Sequence, residues 1–116
     1  MVGNDIVDLC LADKDAWKRP RYLHKVCTPS EQLLLSQTED PGTFLWVLWS
    51  MKESAYKLHF RKHLTRALNP IGFKCCFDGN YELGPLGRFS GRVEVGAEVY
   101  QTNTILCKDY VHTTAI

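Results

Sequence analysis

The stretch from Phe44 to Arg61, FLWVLWSMKESAYKLHFR, constrains the fold of this chain more than any other segment. A helix turns about 100° per residue. At that angle one narrow face collects the apolar residues Phe44, Leu48, Met51, Ala55 and Leu58. Glu53 lies nearly opposite, where its neighbours at helical spacing are Trp46, Trp49, Tyr56 and Phe60. The pattern predicts a helix that is apolar almost all round and is therefore buried on most sides.

Glu53 places a carboxylate among the apolar side chains of this helix. A carboxylate in apolar surroundings needs a cation, a hydrogen-bond donor or a raised pKa. Two partners remain open from the residues alone. One is Lys57, which lies one turn further on and could form an i, i+4 salt bridge. The other is a metal ion, and spacing alone favours the salt bridge.

Length and composition predict one soluble domain spanning residues 1–116. The chain is 45% hydrophobic and 23% charged, and its net charge of +1 gives no whole-chain attraction to nucleic acid or membranes. Its five cysteines form no CxxC motif and cannot all pair, which favours reduced thiols and a cytoplasmic protein. We expect no export leader and no membrane anchor, since no basic start precedes an apolar run.

The first half of the chain predicts one strand followed by helices. In MVGNDIVDL, an extended backbone puts Asp5 on the same face as Gly3 and Val7, whereas Asp8 points the other way and could cap the next turn. We expect a short helix in LCLADKDAWK, while RYLHKV is ambiguous. The sequence TPSE predicts a helix start with a capping box. Asp40 or Thr43 is expected to cap the central helix, and a loop rich in Lys62, His63 and Arg66 is expected to follow it.

From Ile71 onward the apolar period changes to two, which indicates strands. The segments IGFKCCF, GRVEV, AEVYQTNTILCK and YVHTTAI are separated by turn signals at Asp78–Asn80, at Gly84–Gly87, at Gly96 and at Lys108–Asp109. A strand, then helices, then an antiparallel meander is an α+β pattern. We therefore predict a mostly antiparallel sheet with helices packed on one face.

Two acidic residues of this fold are expected to meet. Asp5 lies on the opening strand, and Glu53 lies on a helix that must pack on the sheet. Two carboxylates suit Mg²⁺, which takes one or two protein carboxylates together with substrate phosphates. The alternatives are that Asp5 caps a turn and that Glu53 pairs with Lys57.

Two groups of cations are candidates for recognition. The first surrounds the end of the central helix and could hold phosphates or simply complement the helix dipole: Lys52, Lys57, His59, Arg61, Lys62, His63 and Arg66. The second could meet an acidic protein, although such charge runs usually mean only a solvated surface: Lys14, Lys18, Arg19, Arg21 and Lys25.

Three stretches resemble the 4′-phosphopantetheinyl transferases. VGNDIVDL is similar to the opening strand of the short holo-acyl-carrier-protein synthases, and WSMKESAYK is similar to the signature helix of the family. Between them, RPRYLHKVCTPSE resembles the basic segment and the Phe-Thr-x-x-Glu turn, with Cys27 in place of the aromatic residue. The combination of DIVD with WxxKExxxK in this order is specific.

The resemblance implies an enzyme of the phosphopantetheinyl transferase fold with Mg²⁺ as cofactor and coenzyme A as co-substrate. Asp5 and Glu53 would hold Mg²⁺ against the coenzyme A pyrophosphate, and Lys57 would neutralise charge on it. Glu53 would also help to deprotonate the attacking serine. That serine belongs to a carrier protein and attacks the β-phosphate, so that phosphopantetheine is transferred and adenosine 3′,5′-bisphosphate is released.

The resemblance also implies partners and shows departures. An acidic acyl or peptidyl carrier protein would dock on Lys14, Lys18, Arg21 and Lys25, and the short chain length implies a homotrimer with sites at subunit interfaces. The short synthases usually have a Gly-Thr-Gly loop where this chain has residues 59–70, so the family's nucleotide contacts do not carry over to this chain. Coenzyme A contacts are expected from Lys52, Lys57, Arg61, Lys62 and His63. The competing interpretation is a binding module of this fold that holds coenzyme A or a carrier protein without turnover.

Overall fold

A computed structural model describes residues 1–64, 68–78 and 87–116 and confirms the α+β prediction. Three α-helices pack against a five-stranded antiparallel sheet with the strand order β1-β5-β4-β3-β2. The strands are β1 (Gly3–Asp8), β2 (Lys74–Phe77), β3 (Gly87–Val95), β4 (Glu98–Leu106) and β5 (Tyr110–Ala115). Strands β2 to β5 form the predicted meander, and β1 pairs with β5 at one edge.

Two of the predicted turns lie within the described residues. Gly96 joins β3 to β4 with φ at +59°, a left-handed conformation that favours glycine. The turn at Lys108–Asp109 is closed by a hydrogen bond from the Cys107 amide to the Tyr110 carbonyl, at 2.9 Å. The turn signals from Gly79 to Leu86 fall outside the described residues.

The helices are α1 (Pro20–Val26), α2 (Pro29–Gln37) and α3 (Pro41–His63). The predicted capping box is present at the start of α2. The Thr28 hydroxyl accepts from the Glu31 amide at 3.2 Å, and the Glu31 carboxylate accepts from the Thr28 amide at 2.9 Å. Asp40 caps α3 by accepting from the Thr43 amide at 3.1 Å. Proline suits the first position of both helices, because an N–H group there would have no partner within the helix.

Two boundary predictions were wrong. The segment LCLADKDAWK forms only a 3₁₀ turn at Ala16–Lys18, because Asp13 accepts from the Asp15 amide at 2.9 Å and this local bond competes with a helix. The following segment, RYLHKV, is part of α1. At the other end, α3 continues through His63, so Lys62 and His63 lie in the helix rather than in a loop, and Arg66 lies outside the described residues.

Helix α3 lies across the sheet and forms the core with it. The apolar face predicted for it is buried, with no residue more than 5% exposed: Phe44, Leu48, Met51, Ala55 and Leu58. Strand β1 approaches this helix closely, because a side chain at Gly3 would collide with the backbone oxygen of Ser54. This close packing brings Asp5 alongside the helix. Within the three described ranges, none of the helices combines the length and apolarity that a membrane crossing needs.

Candidate active site

Strand β1 and helix α3 bring Asp5 and Glu53 to the same surface cleft. The cleft is lined by Asp5, Ile6, Val7, Asp8, Leu11, Ala12, Trp46, Trp49 and Glu53. Asp5 reaches it from the edge strand, and Glu53 reaches it from the middle of α3. The packing of the helix on the sheet therefore juxtaposes the two carboxylates, as the sequence suggested.

Lys57 pairs with Asp5 instead of with Glu53. Its ammonium group lies 3.4 Å from Asp5 Oδ1 and donates to the Asn4 carbonyl at 2.7 Å. The i, i+4 salt bridge considered for Glu53 is therefore not formed. Glu53 makes no hydrogen bond or ion pair with the residues that the structure describes. A half-buried carboxylate that faces a cleft without a partner is suited to bind a cation.

The electrostatics of the pair also favour a cation. Burial raises the pKa of Asp5, and the nearby charge of Lys57 opposes this effect. Burial and the charge of Asp5 both raise the pKa of Glu53, and Lys57 again lowers it. Both carboxylates are therefore less stable in their ionised form than they are in water. A bound cation would relieve this cost.

The chemistry of these donors fits Mg²⁺. Carboxylate oxygens are hard ligands, and Mg²⁺ usually binds one or two of them and keeps several waters. Among residues 1–64, 68–78 and 87–116, no group of three or more Cys, His, Asp or Glu side chains is arranged to hold a metal. The remaining ligands would have to be water or substrate oxygens.

Asp8 borders the same cleft but has a local role. Its carboxylate accepts from the Cys10 amide at 2.9 Å, and its carbonyl accepts from the amides of Leu11 and Ala12 at 3.2 and 3.0 Å. Strand β1 includes Asp8, so the alternation that separates it from Asp5 is retained. Asp8 thus caps the turn after β1, which is one of the roles open to it from the sequence.

The cations predicted around the end of α3 fall into separate places. Arg61 lies on the same side of the helix as Lys57 and donates to the Val2 carbonyl at 2.8 Å. Lys62 and His63 instead contact the carboxylate of Glu98 at the start of β4, at 2.7 and 3.0 Å. Among the described members of this group, Lys57 and Arg61 follow the edge strand that carries Asp5.

Lys52 contradicts its prediction as a coenzyme-binding residue. Its side chain is fully buried, and its ammonium group lies 2.7 Å from Glu31 and donates to the Pro70 carbonyl at 2.7 Å. Glu31 is equally buried and also accepts from the Cys75 amide at 2.7 Å. The physical reason is helix geometry: residues adjacent in sequence are about 100° apart, so Lys52 and Glu53 face different surroundings.

The match to known families agrees with this arrangement. Residues 1–115 match the family model described as the 4′-phosphopantetheinyl transferase superfamily. The chain belongs to this superfamily. Membership makes it a transferase of the phosphopantetheinyl type, and the match extends the resemblance of the first half to almost the whole chain. A search among curated proteins returns no significant match.

The basic run of this superfamily member divides into paired and free cations. Lys18 pairs with Asp15 at 3.1 Å, and Arg19 pairs with Asp13. Three of the four predicted docking residues are exposed and make no ion pair with a described residue: Lys14, Arg21 and Lys25. Arg21 and Lys25 are four residues apart on α1 and therefore share one face.

Trp46 connects the cleft to this basic region, and sequence reasoning missed this contact. Its indole nitrogen donates to the Asp13 carbonyl at 2.9 Å. The bond holds the loop after β1, whose residues Leu11 and Ala12 line the cleft. The available signal was chemical: a partly buried tryptophan usually finds an acceptor for its N–H group.

Proposed function

We propose that this protein transfers 4′-phosphopantetheine from coenzyme A to a serine of an acidic acyl or peptidyl carrier protein, in a Mg²⁺-dependent reaction of the holo-acyl-carrier-protein synthase type. The by-product would be adenosine 3′,5′-bisphosphate. The observation that carries the proposal is the shared cleft of Asp5 and Glu53, with Lys57 at its edge and Glu53 unpaired among the described residues. Membership of the superfamily supports the same chemistry.

Asp5 and Glu53 would hold the cation in this proposal. Bound Mg²⁺ supplies positive charge to the pyrophosphate of coenzyme A and so lowers the cost of charge that develops during displacement. Lys57 is the cation that pairs with Asp5 in the described residues, at 3.4 Å. Its ammonium group is positioned to offset charge on the same phosphate, and a fixed positive charge of this kind needs little reorganisation.

Glu53 has a second role in the proposal. It would act as the general base for the carrier serine. The proton of the carrier serine would pass to Glu53 directly or through a water molecule. The oxygen of that serine would then attack the β-phosphate.

Coenzyme A would lie along the side of α3 that faces β1. Lys57 and Arg61 are the first candidates there, since Lys57 contacts the Asn4 carbonyl of β1 and Arg61 contacts the Val2 carbonyl just before that strand. Lys62 and His63 remain candidates for more distant phosphate contacts, because both are partly exposed beside Glu98. Lys52 is excluded from this group by its burial.

The carrier protein would dock on the basic run next to the cleft. Lys14, Arg21 and Lys25 are available to acidic side chains, whereas Lys18 is already paired with Asp15. Opposite charges at such a surface speed association and orient the partners. The bond from Trp46 to the Asp13 carbonyl ties this region to the wall of the cleft.

We also propose that the protein is a cytoplasmic homotrimer. All five cysteines are free, which is compatible with a reducing compartment. Apolar side chains are exposed on the sheet face away from α3, including Ile6 at 65% and Val99 at 50%. These side chains are available for a contact between subunits.

The test is to mix the protein with coenzyme A, Mg²⁺ and several apo carrier proteins and to measure the intact mass of each carrier. Transfer predicts a mass increase of one phosphopantetheine group on at least one carrier. The competing function, a binding module, is favoured by one observation: helix α3 continues through His63, where the short synthases usually have a glycine-rich loop. Binding of coenzyme A without a mass increase on any carrier would support that alternative.

A further inference from the structure

A row of hydroxyl groups lies next to Asp5 between helix α3 and the sheet. Asp5 pairs with Thr113 of β5, and Thr113 pairs with Thr104 of β4. The hydroxyl oxygens of Thr104 and Thr113 are 2.9 Å apart. From the helix, the Ser50 hydroxyl lies 2.9 Å from the Thr113 hydroxyl and 3.4 Å from the Asp5 carbonyl, and its single proton can be donated to either oxygen. All three hydroxyl residues are at most 2% exposed.

This polar row lies beside an apolar row. The next row on the same face of the sheet consists of Val7, Val111 and Leu106 and is apolar. Burying a hydroxyl costs free energy unless it is hydrogen-bonded, and apolar groups of similar shape would pack at least as well. The hydroxyls of Ser50, Thr113 and Thr104 bond to one another, and their row ends at Asp5.

The position of Asp5 depends on contacts with α3. Within the described part of the chain, strand β1 lies at the edge of the sheet and pairs with β5 alone. Side chains of α3 reach three of the carbonyls near Asp5: Arg61 donates to Val2, Lys57 donates to Asn4, and Ser50 approaches Asp5 itself. Of these three side chains, only Ser50 is fully buried and bonded to the sheet interior.

We propose that Ser50, supported by Thr113 and Thr104, is a positioning residue for Asp5. Its hydroxyl holds the backbone of the edge strand against α3, so that the Asp5 carboxylate stays beside Glu53. This inference rests on the proposed function, because it treats Asp5 as a Mg²⁺ ligand. It adds residues that hold the ligand without touching the cation or the substrate.

The test compares two substitutions at Thr113, one that removes its hydroxyl group and one that removes its methyl group. Thr113→Val keeps the shape and removes the hydroxyl, whereas Thr113→Ser keeps the hydroxyl and removes a buried methyl group. Positioning predicts that Thr113→Val weakens Mg²⁺ binding about fivefold to tenfold in calorimetric titration and that Thr113→Ser changes it less than about twofold. A role in packing alone predicts that Thr113→Ser has the larger effect, since the lost methyl group leaves a cavity.

Ser50→Ala provides a second, independent variant, and Thr102→Val provides a matched control. Thr102 lies on the same face of β4 and is 2% exposed, and its hydroxyl has no partner among the described residues. We expect Ser50→Ala to weaken Mg²⁺ binding as Thr113→Val does, and to raise the KM for Mg²⁺ while kcat at saturating Mg²⁺ changes little. Thr102→Val should leave both quantities unchanged.

Two results would overturn the inference. The first is wild-type Mg²⁺ affinity in both Thr113→Val and Ser50→Ala. The second is an equal loss in Thr102→Val. Either of these leaves the proposed function intact, because the wild-type protein still binds Mg²⁺. A wild-type protein that gives no Mg²⁺ signal even with coenzyme A present would instead contradict the proposed function, and the positioning role would fall with it.

Discussion

Two glutamates of this chain have opposite surroundings. Glu31 is fully buried, but its carboxylate is bonded to the Lys52 ammonium group and to the amides of Thr28 and Cys75. Glu53 is partly exposed and has no such partner among the described residues. A buried charge that is fully bonded serves the fold, whereas an unpaired carboxylate in a cleft is available for a ligand.

Removing the charge of Glu53 should not harm the metal-free protein. Its pKa is higher in the folded protein than in the unfolded chain, because of burial and the charge of Asp5. Its carboxyl group therefore stabilises the folded state at low pH, where it is protonated, and this contribution is lost as the pH rises through the folded pKa. With EDTA at neutral pH, we expect Glu53→Gln to melt at the wild-type temperature or above it.

The same melting experiment with Mg²⁺ supplies the control for this prediction. Ligand binding to the folded state raises the melting temperature, so Mg²⁺ should stabilise the wild-type protein and not Glu53→Gln. A Glu53→Gln protein that melts clearly below the wild type in EDTA would show that Glu53 has a structural role instead.

Two lysines of α3 should respond to substitution in different ways. Lys52→Ala leaves the carboxylate of Glu31 buried and unpaired, and we expect a loss of about 3–5 kcal/mol in the free energy of unfolding. Lys57→Ala breaks a pair in which the lysine side chain is 44% exposed, so the loss should be below about 1 kcal/mol.

Transfer activity should depend on Lys57 more than on Lys52, which is the reverse of their order for stability. We expect Lys57→Ala to lower kcat by about 100-fold, as removal of one electrostatic contact to a reacting group commonly does. Urea denaturation measures the stability of both variants, and the mass of the carrier protein measures the rate. A Lys52→Ala protein that is as stable as the wild type but transfers more slowly would contradict the structural role given to Lys52.

At the scale of secondary-structure elements, helix α1 presents Arg21 and Lys25 on one face. Replacing both by alanine should raise the KM for the carrier protein by about tenfold and weaken its dependence on salt, while the KM for coenzyme A stays unchanged. Lys18→Ala is the matched control, because Lys18 is already paired with Asp15 and should contribute less. Equal effects on the KM values of both substrates would argue against a docking role for α1.

The elements show what could be predicted from sequence. The caps at Thr28 and Asp40 were predictable because their partners lie three residues away. The meeting of Asp5 with Glu53 was predictable because the apolar face of α3 had to pack on the sheet. The partners of Lys52 and Lys57 were not predictable, since they come from α2 and β1 and depend on how the helix is rotated.

At the scale of the whole molecule, the helices leave part of the sheet uncovered by the described residues. Ile6 and Val99 are exposed apolar side chains on the face away from α3. We expect light scattering to give a trimer, with three times the chain mass of 13.3 kDa. The substitutions Ile6→Arg and Val99→Arg should weaken the trimer and therefore lower this mass. Leu33→Arg serves as a control, because Leu33 is an exposed apolar residue on α2. A wild-type protein that is a monomer would contradict the proposed trimer.

The intact mass of an apo carrier protein after incubation with coenzyme A tests the proposed transfer of phosphopantetheine. With Mg²⁺ and the wild-type protein, we predict the mass increase of one phosphopantetheine group. With EDTA, or with folded Glu53→Gln protein, we predict no increase. Transfer by Glu53→Gln at the wild-type rate would contradict the assignment of the Asp5 and Glu53 cleft as the active site.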